Sequence, residues 1–553
     1  MTAEGSRPSV ERGVSFPGFT ATAGSLIAHC VAHHPDTVLS VLGDRRMSYR
    51  EAEVRSRRIA KGLIASGLGK GSRVGLLAPN GPDWIVGWLA ASRIGCVVAL
   101  LNTYDKAREQ ARNLRLADVD TVLTVGSHLG HDYLARFEDI APGLDIQTPG
   151  RFRIPELPFL RSVHVFGVTD RRWAGSVEDL EATGTEVSDE LFDRIEEQVT
   201  PADHMVIVFS SGSTTDPKGA VHSHGTVIRH AHNLWQFRDL KAGDVVYSPM
   251  PLFWVGGLSY TLMAVMHAGA THLSEPFFEP GATLDLLERE RATHALGWPH
   301  VGKALVEHPT FAQRDLSSIR AGSLEALLPA AKRRVDPSRR ANSLGMTETM
   351  GPHSAEAEGT ELPPDKSGSF GRAVPGVEHR VVDPETGRDT APGELGEIWV
   401  RGYSVMQQLY KREREDVFTV DGWYRTGDGG WLDADGHLFY KGRLGEQIKS
   451  SGMNITPREV EIVLEEMDEV MLAFVMGVPH AVRGEDVAAV LVPRPGQTID
   501  IDDLTARLRS QIASYKVPRH MTVVDDQQQL PWLDSGKVDR RALQRSVVER
   551  FSD

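Results

Sequence analysis

Short apolar runs alternate along most of the chain with longer stretches whose apolar positions recur at helical spacing. Val38 to Gly43, a turn at Gly43-Asp44, and the text from Met47 to Pro79 predict a hairpin, a helix and a strand in succession. Within that helix Ala52, Val54, Ile59, Leu63 and Ile64 make one apolar side. Pro79 and Asn80 end the strand, Trp84 opens the next helix, and Val97 to Leu101 reads as the following strand. Strand–helix alternation of this kind predicts a mostly parallel sheet covered on both faces. Residues 1–20 read as a loosely packed lead-in, and residues 145–204, rich in proline and charge, as surface excursions. Near the other end, Thr456-Pro457-Arg458-Glu459 predicts a helix start with a capping Thr, Pro at the first helical position and a capping-box Glu. Two strands flanking Arg483-Gly484 and a helix through Leu504, Leu508 and Ile512 complete a separate α+β unit.

The chain has 553 residues, beyond the roughly 250–300 that one compact core accommodates, so at least two domains are expected. Net charge is −14, which disfavours nucleic acid and anionic membranes as partners. The longest apolar stretch, Trp84 to Leu101, contains Arg93, Gly87 and Gly95 and reads as a core helix and strand, with no membrane span. Two cysteines, Cys30 and Cys96, build neither a disulfide framework nor a zinc site. The first residues lack an apolar h-region, so a cytoplasmic protein is expected. A homodimer is compatible with all of this.

Candidate chemistry begins at Met205 to Gly225. The β-branched run Met205–Phe209 predicts a buried strand, and it gives way to Ser210, Ser211, Gly212, Ser213, Thr214 and Thr215. Glycine lets backbone N–H groups converge on a phosphate, and hydroxyls add donors. Lys218 supplies a mobile charge, with Pro217 and Gly219 shaping the turn. A helix should begin near Thr226, on the spacing of Val227, Ala231, Leu234 and Trp235. The loop is not a Walker motif, because Lys218 is followed by glycine and preceded by proline.

SSGSTTDPKGAVHSHG resembles the signature loop of the adenylate-forming (ANL) superfamily, with Thr215 where the family usually has glycine. The resemblance spans roughly residues 25–545, with further motifs in family order. It implies an α/β fold: a large N-terminal domain, residues 1–443, of mixed, mostly parallel sheets covered by helices with a small β-barrel-like part. A small mobile α+β C-terminal domain, residues 444–553, follows. It implies that Ser210 to Thr214 and Lys218 hold the β- and γ-phosphates of ATP. Asn342 to Ser354 resembles the family's YGxTE motif: Gly345, Met346 and Thr347 would lie at the α-phosphate, and Glu348 would hold Mg²⁺, which prefers carboxylate and phosphate oxygens. Asp428 resembles the ribose-binding carboxylate, Arg443 a second ribose or phosphate contact, and Gly322-Ser323 a weak match to the adenine-binding turn.

Gly445 falls at the hinge, and a glycine there can turn freely but offers no side chain to lock either state. Lys537 resembles the catalytic lysine, and Gly452 lies in the loop expected beside a pantetheine channel. Phe253, Trp254, Gly256, Gly257, Trp298 and His300 fall where the family lines its acyl pocket, with Trp254 replacing a frequent histidine. The implied activity is an AMP-forming acid–thiol ligase: a hydrophobic carboxylic acid and ATP give acyl-AMP and pyrophosphate, and coenzyme A takes the acyl group. A carrier-protein thiol, an amine or another nucleophile is the alternative acceptor. A non-catalytic nucleotide sensor would be expected to lack Lys218, Glu348 or Lys537, and none is lacking. No obvious cation for a second carboxylate is visible in the pocket text.

Overall fold

The computed structural model describes residues 14–210, 218–329, 333, 339–340, 342–444, 448–450, 453–481, 483–512, 514–533 and 538–551. By internal contact the chain forms two compact units. The first comprises residues 1–378 and 400–424, the second residues 379–399 and 425–553.

The first unit is built on two sheets. In the larger, strands Arg73–Leu77, Val97–Leu100, Thr121–Val125, Ser162–Phe166 and His204–Ser210 run parallel. Lys218–Ser223 and Gln408–Leu409 join antiparallel at one edge. The smaller sheet pairs His294–Ala295, Val245–Tyr247, Thr271–Ser274 and Val38–Leu42 in parallel and ends on the antiparallel Arg45–Ser48. Helices Ala23–His33, Tyr49–Ala65, Pro82–Arg93 and His224–Trp235 contribute to one apolar core together with residues of both sheets. A second core covers the other face of the larger sheet, and a third packs helices against the smaller sheet. This arrangement is the mixed α/β architecture expected.

Local sequence accounts for several of these elements. The helix Tyr49–Ala65 begins at a capping box in which the Glu51 carboxylate accepts from the Ser48 N–H at 2.7 Å and the Ser48 hydroxyl accepts from the Glu51 N–H at 3.2 Å. Trp84 and Trp88 are buried and stacked at 6.4 Å between centroids. Arg93, only 3% exposed, is paired with Glu53 and Glu196, which is how a charge sits inside the longest apolar stretch. Both thiols are buried, and burial raises each to about 12, so neither is a nucleophile at neutral pH.

Three local expectations are corrected. Residues 14–20 are anchored: the Ser15 N–H donates to Asn233 Oδ1 at 2.9 Å, Asn233 Nδ2 donates back at 3.0 Å, and Phe19 stacks on His29 at 4.8 Å. Residues 145–204 are a structural part of the unit, because Phe152, Trp173 and Phe192 are fully buried and Ser162–Phe166 is a sheet strand. Sparse large anchors on a charged background hide such a segment from a composition reading. The third correction lies in the second unit. Helix Pro457–Glu465 has Pro at its first position, but the Thr456 side chain makes no capping bond, and Glu459 pairs with Lys516 Nζ at 2.6 Å in place of closing a box.

The second unit carries the greater part of the four-stranded sheet Val377–Val382, Gly396–Gly402, Tyr424–Leu432 and Leu438–Arg443, and a five-stranded α+β fold centred on the Val470–His480/Gly484–Pro493 hairpin. Its fully buried Glu461 accepts from the Val475 N–H at 2.9 Å and from Arg540 Nη2 at 2.6 Å, tying the last helix to Pro457–Glu465.

Buried neutral histidines are a stability liability in acid. Burial lowers His222, His224 and His272 to about 4 and His230 and His267 to about 3. The unfolded chain takes up protons on these rings near pH 6.5 while the folded chain does not, so stability is full above that pH and falls as pH drops towards 4. At pH 5 each ring costs on the order of 2 kcal/mol, and the set together rivals the roughly 5–15 kcal/mol that holds a domain folded. The expected result is a steep fall in unfolding temperature between pH 6.5 and 5; a flat profile over that window would contradict it.

Candidate active site

Ser210 and Lys218 form the last pair of an antiparallel ladder. Ser211, Gly212, Ser213 and Thr214 lie outside the described residues. Lys218 is half-buried at the start of its strand.

The Thr347-Glu348 motif is held from two directions. Leu344–Met346 and Gly351–Ala355 are antiparallel strands, joined through a single turn at Thr347–Thr349 and a left-handed Met350 at φ 55°. A Cβ at Gly345 would stand 2.5 Å from the Gly351 carbonyl carbon, so the close approach of the two strands requires glycine there. His222, on the strand that starts at Lys218, donates Nε2–H to the Thr347 carbonyl at 2.8 Å. The Met406 N–H donates to the Glu348 carbonyl at 2.8 Å. The Glu348 side chain is buried and accepts from Ser210 Oγ at 3.3 Å. Ser210, at the end of its strand, and the Thr347-Glu348 turn are therefore brought together.

Among the described residues no cation pairs with the Glu348 carboxylate. A buried carboxylate held only by a hydroxyl is costly by itself and suits a divalent cation, so this donor set fits Mg²⁺. His222 is the residue the motif reading passed over. It lies within the quoted HSHG text, but its role depends on the Thr347 carbonyl, far away in sequence.

In the second unit Asp428 and Arg443 are directly opposite each other in register, and Arg443 Nε lies 2.9 Å from Asp428 Oδ1. The expected ribose contact and the expected ribose or phosphate contact thus form one ion pair. Arg443 Nη1 also donates to the Thr426 carbonyl at 2.9 Å, and Thr426 Oγ1 accepts from the Asp428 N–H at 3.0 Å. Gly445, Gly452 and Lys537 lie outside the described residues, but an antiparallel bridge between Trp532 and Val538 anchors both flanks of the lysine segment.

The expected acyl-pocket residues cluster in the first unit. Trp254 meets Trp298 edge-on at 6.4 Å and Phe253 at 5.7 Å, and Tyr104 meets Phe253 at 5.9 Å. Trp298 is 38% exposed, so this aromatic wall has an open side. The Asn80 side chain, absent from the sequence-based site, clamps the approach: Nδ2 donates to the Met250 carbonyl at 2.9 Å and Oδ1 accepts from the Leu252 N–H at 2.7 Å. Gly257 is required, since a Cβ would stand 2.0 Å from the Pro251 oxygen, whereas at Gly256 it would meet Met250 Sδ at 3.0 Å. The helix then widens into a π-helical turn, Leu258–Met263, a distortion frequent at functional sites.

Gly322 has φ 123°, and a Cβ there would stand 2.1 Å from the Ala295 oxygen. Ser323 Oγ donates to the Gly297 carbonyl at 2.8 Å and accepts from its N–H at 3.0 Å. The weakly matched turn therefore braces the Gly297-Trp298 wall. His300 lies in the helix Pro299–Glu307, and its side chain is outside the described residues.

Comparison with known proteins shows the family of the chain. The AMP-binding enzyme family model matches residues 27–410, and the model of the AMP-binding enzyme C-terminal domain matches residues 459–537. An indoleacetate–CoA ligase of Aromatoleum aromaticum is 32% identical, over 92% of this chain and 94% of its own length. A feruloyl-CoA synthase of an Amycolatopsis species is 31% identical, over 92% of this chain and 95% of its own length. The ATP-bound crystal structure of MatB from Rhodopseudomonas palustris superposes with a TM-score of 0.79 at 26% identity, covering 96% of this chain and all of that one.

Proposed function

The chain belongs to the AMP-binding enzymes of the adenylate-forming superfamily, and from that premise we propose that it converts a hydrophobic, aromatic carboxylic acid to its coenzyme A thioester through an acyl-AMP. The observation that carries the reading is the Glu348 carboxylate, buried and turned towards Ser210 at the edge of the phosphate loop. The aromatic wall of Phe253, Trp254 and Trp298 supports an aromatic acid, as do relatives named for indoleacetate and ferulate.

A carboxylate and a triphosphate repel one another, so both need cationic partners before they react. Glu348 would hold Mg²⁺, which supplies charge neutralisation at the phosphate oxygens. Ser210, the loop hydroxyls and Lys218 bind the phosphate tail, and Lys537 orients the acid's carboxylate against the α-phosphorus. A carboxylate oxygen attacks that phosphorus, the bond to the β-phosphate bridging oxygen breaks, and pyrophosphate leaves with the bonding pair. In the second half-reaction the coenzyme A thiolate attacks the acyl carbon, and AMP leaves with the acyl C–O bond pair. The domain boundary after Arg443 and a rotation about Gly445 would withdraw Lys537 between the halves, with Gly452 entering beside the thiol channel. Asp428, preset by Arg443, would take the ribose hydroxyls through two accepted hydrogen bonds.

Chromatography of a reaction with indoleacetate or ferulate, ATP, Mg²⁺ and coenzyme A tests the reading. The expected products are the acyl-CoA, AMP and pyrophosphate. ADP, or acyl-AMP that never passes to coenzyme A but does pass to an added amine, would overturn it.

A further inference from the structure

Asn80 lies in the turn between strand Arg73–Leu77 and helix Pro82–Arg93, and nothing in the proposed chemistry uses it. The turn is fixed from both sides. Ala78 before it and Pro82 after it are buried. Gly81 has φ 140°, and a Cβ there would stand 2.7 Å from Leu42 Cδ2, so the chain passes in close contact with the strand Val38–Leu42.

From this anchored turn Asn80 directs both halves of its amide at one short piece of backbone 170 residues away. Nδ2 donates to the Met250 carbonyl at 2.9 Å, and Oδ1 accepts from the Leu252 N–H at 2.7 Å. The residue between the two bonded groups is Pro251, which has no N–H of its own. Met250, Pro251 and Leu252 belong to neither helix nor strand, so no ladder satisfies their backbone groups. The ties inside the loop move with it: Ser248 Oγ accepts from the Met250 N–H at 3.3 Å, and Thr261 Oγ1 donates to the Gly256 carbonyl at 3.1 Å. Asn80 instead fastens the loop to a separate, buried element.

The loop carries the start of the aromatic wall, because Phe253 follows Leu252 directly. Tyr104 meets Phe253 at an interplanar angle of 75°, Phe253 meets Trp254 at 79°, and Trp254 meets Trp298 at 78°. Edge-to-face packing depends on tilt and offset, so a shift at Leu252 is passed along the whole file of rings. The backbone of the Thr347-Glu348 motif is held separately, by His222 on the Thr347 carbonyl and Met406 on the Glu348 carbonyl.

We propose that Asn80 is a positioning residue for the acid. By fixing Met250 and Leu252 it sets where Phe253 and Trp254 stand, and so decides which acids fit, without acting on ATP. This rests on the reading of Phe253, Trp254 and Trp298 as the acyl pocket.

Acid-dependent exchange of pyrophosphate into ATP, run with ferulate and with octanoate, tests the inference. The wild-type enzyme is expected to favour ferulate by about tenfold or more in kcat/KM. Asn80→Leu keeps the volume and removes both bonds. It is expected to lower kcat/KM for ferulate by about ten- to a hundredfold, mostly through KM, to erase most of the difference between the two acids, and to leave KM for ATP at its wild-type value. Asn80→Asp keeps the acceptor for Leu252 and sets a second oxygen against the Met250 carbonyl. It should move the ratio in the same direction, and it carries the test where Asn80→Leu fails to fold. An equal loss for both acids and for ATP makes Asn80 merely structural and overturns the inference, as does a wild-type ratio in a folded variant. Trp254→Ala separates the inference from the reading beneath it. If that variant changes the ratio and the Asn80 variants do not, the pocket stands and the inference falls. If it leaves the ratio unchanged, the pocket reading falls and the inference with it.

Discussion

Lys537→Ala is expected to lower acid-dependent formation of acyl-AMP by about a hundred- to a thousandfold while leaving thioester formation from supplied acyl-AMP near the wild-type rate. The asymmetry follows from where charge develops. In the first half-reaction an anionic carboxylate approaches an anionic phosphate, and a preorganised ammonium lowers that barrier. In the second, a thiolate attacks an already activated acyl carbon. The flanks of the lysine segment are anchored by the Trp532–Val538 bridge and by the Asp539 N–H bond to the Pro531 carbonyl at 2.7 Å, so the loss of one side-chain amine should not unfold the unit. Stopped half-reactions measure the two rates separately. Equal loss in both would remove the two-conformer scheme.

Glu348→Gln is expected to depress exchange by a similar hundred- to thousandfold, yet to leave the melting temperature of the free protein unchanged or slightly raised. The backbone of the motif does not depend on the carboxylate: His222 holds the Thr347 carbonyl and Met406 holds the Glu348 carbonyl. The side chain itself is buried against a single hydroxyl, which is unfavourable for an ion in the free state and favourable once a divalent cation arrives. A variant that melts well below wild type, or that exchanges at the wild-type rate, would contradict the assignment of Glu348 to the metal.

Much of the fold was legible because patterning is local. The hairpin turn at Gly43-Asp44 and the run before Ser210 both declare themselves within a few residues. The Thr456 cap misled for the same reason: a local signature cannot register that Lys516 competes for Glu459. Residues 145–204 misled because three buried aromatic anchors are diluted in charged text.

The site divides in the same way. The serine- and threonine-rich loop text and the TE motif each carry their own spacing, whereas the contact between Ser210 and Glu348 is visible only in the structure. His222 and Asn80 were not legible, because each acts on a backbone group more than twenty residues away in sequence. Trp254 stands where a histidine is frequent, and its edge-on contact with Trp298 is a pairing that no local pattern announces.

The most direct test is transfer of label from pyrophosphate into ATP by the wild-type enzyme with Mg²⁺ and an aromatic acid, coenzyme A being left out. The account predicts exchange that requires the acid and saturates with it. Label that enters ATP equally well without any acid, or that never enters with any acid offered, would contradict it.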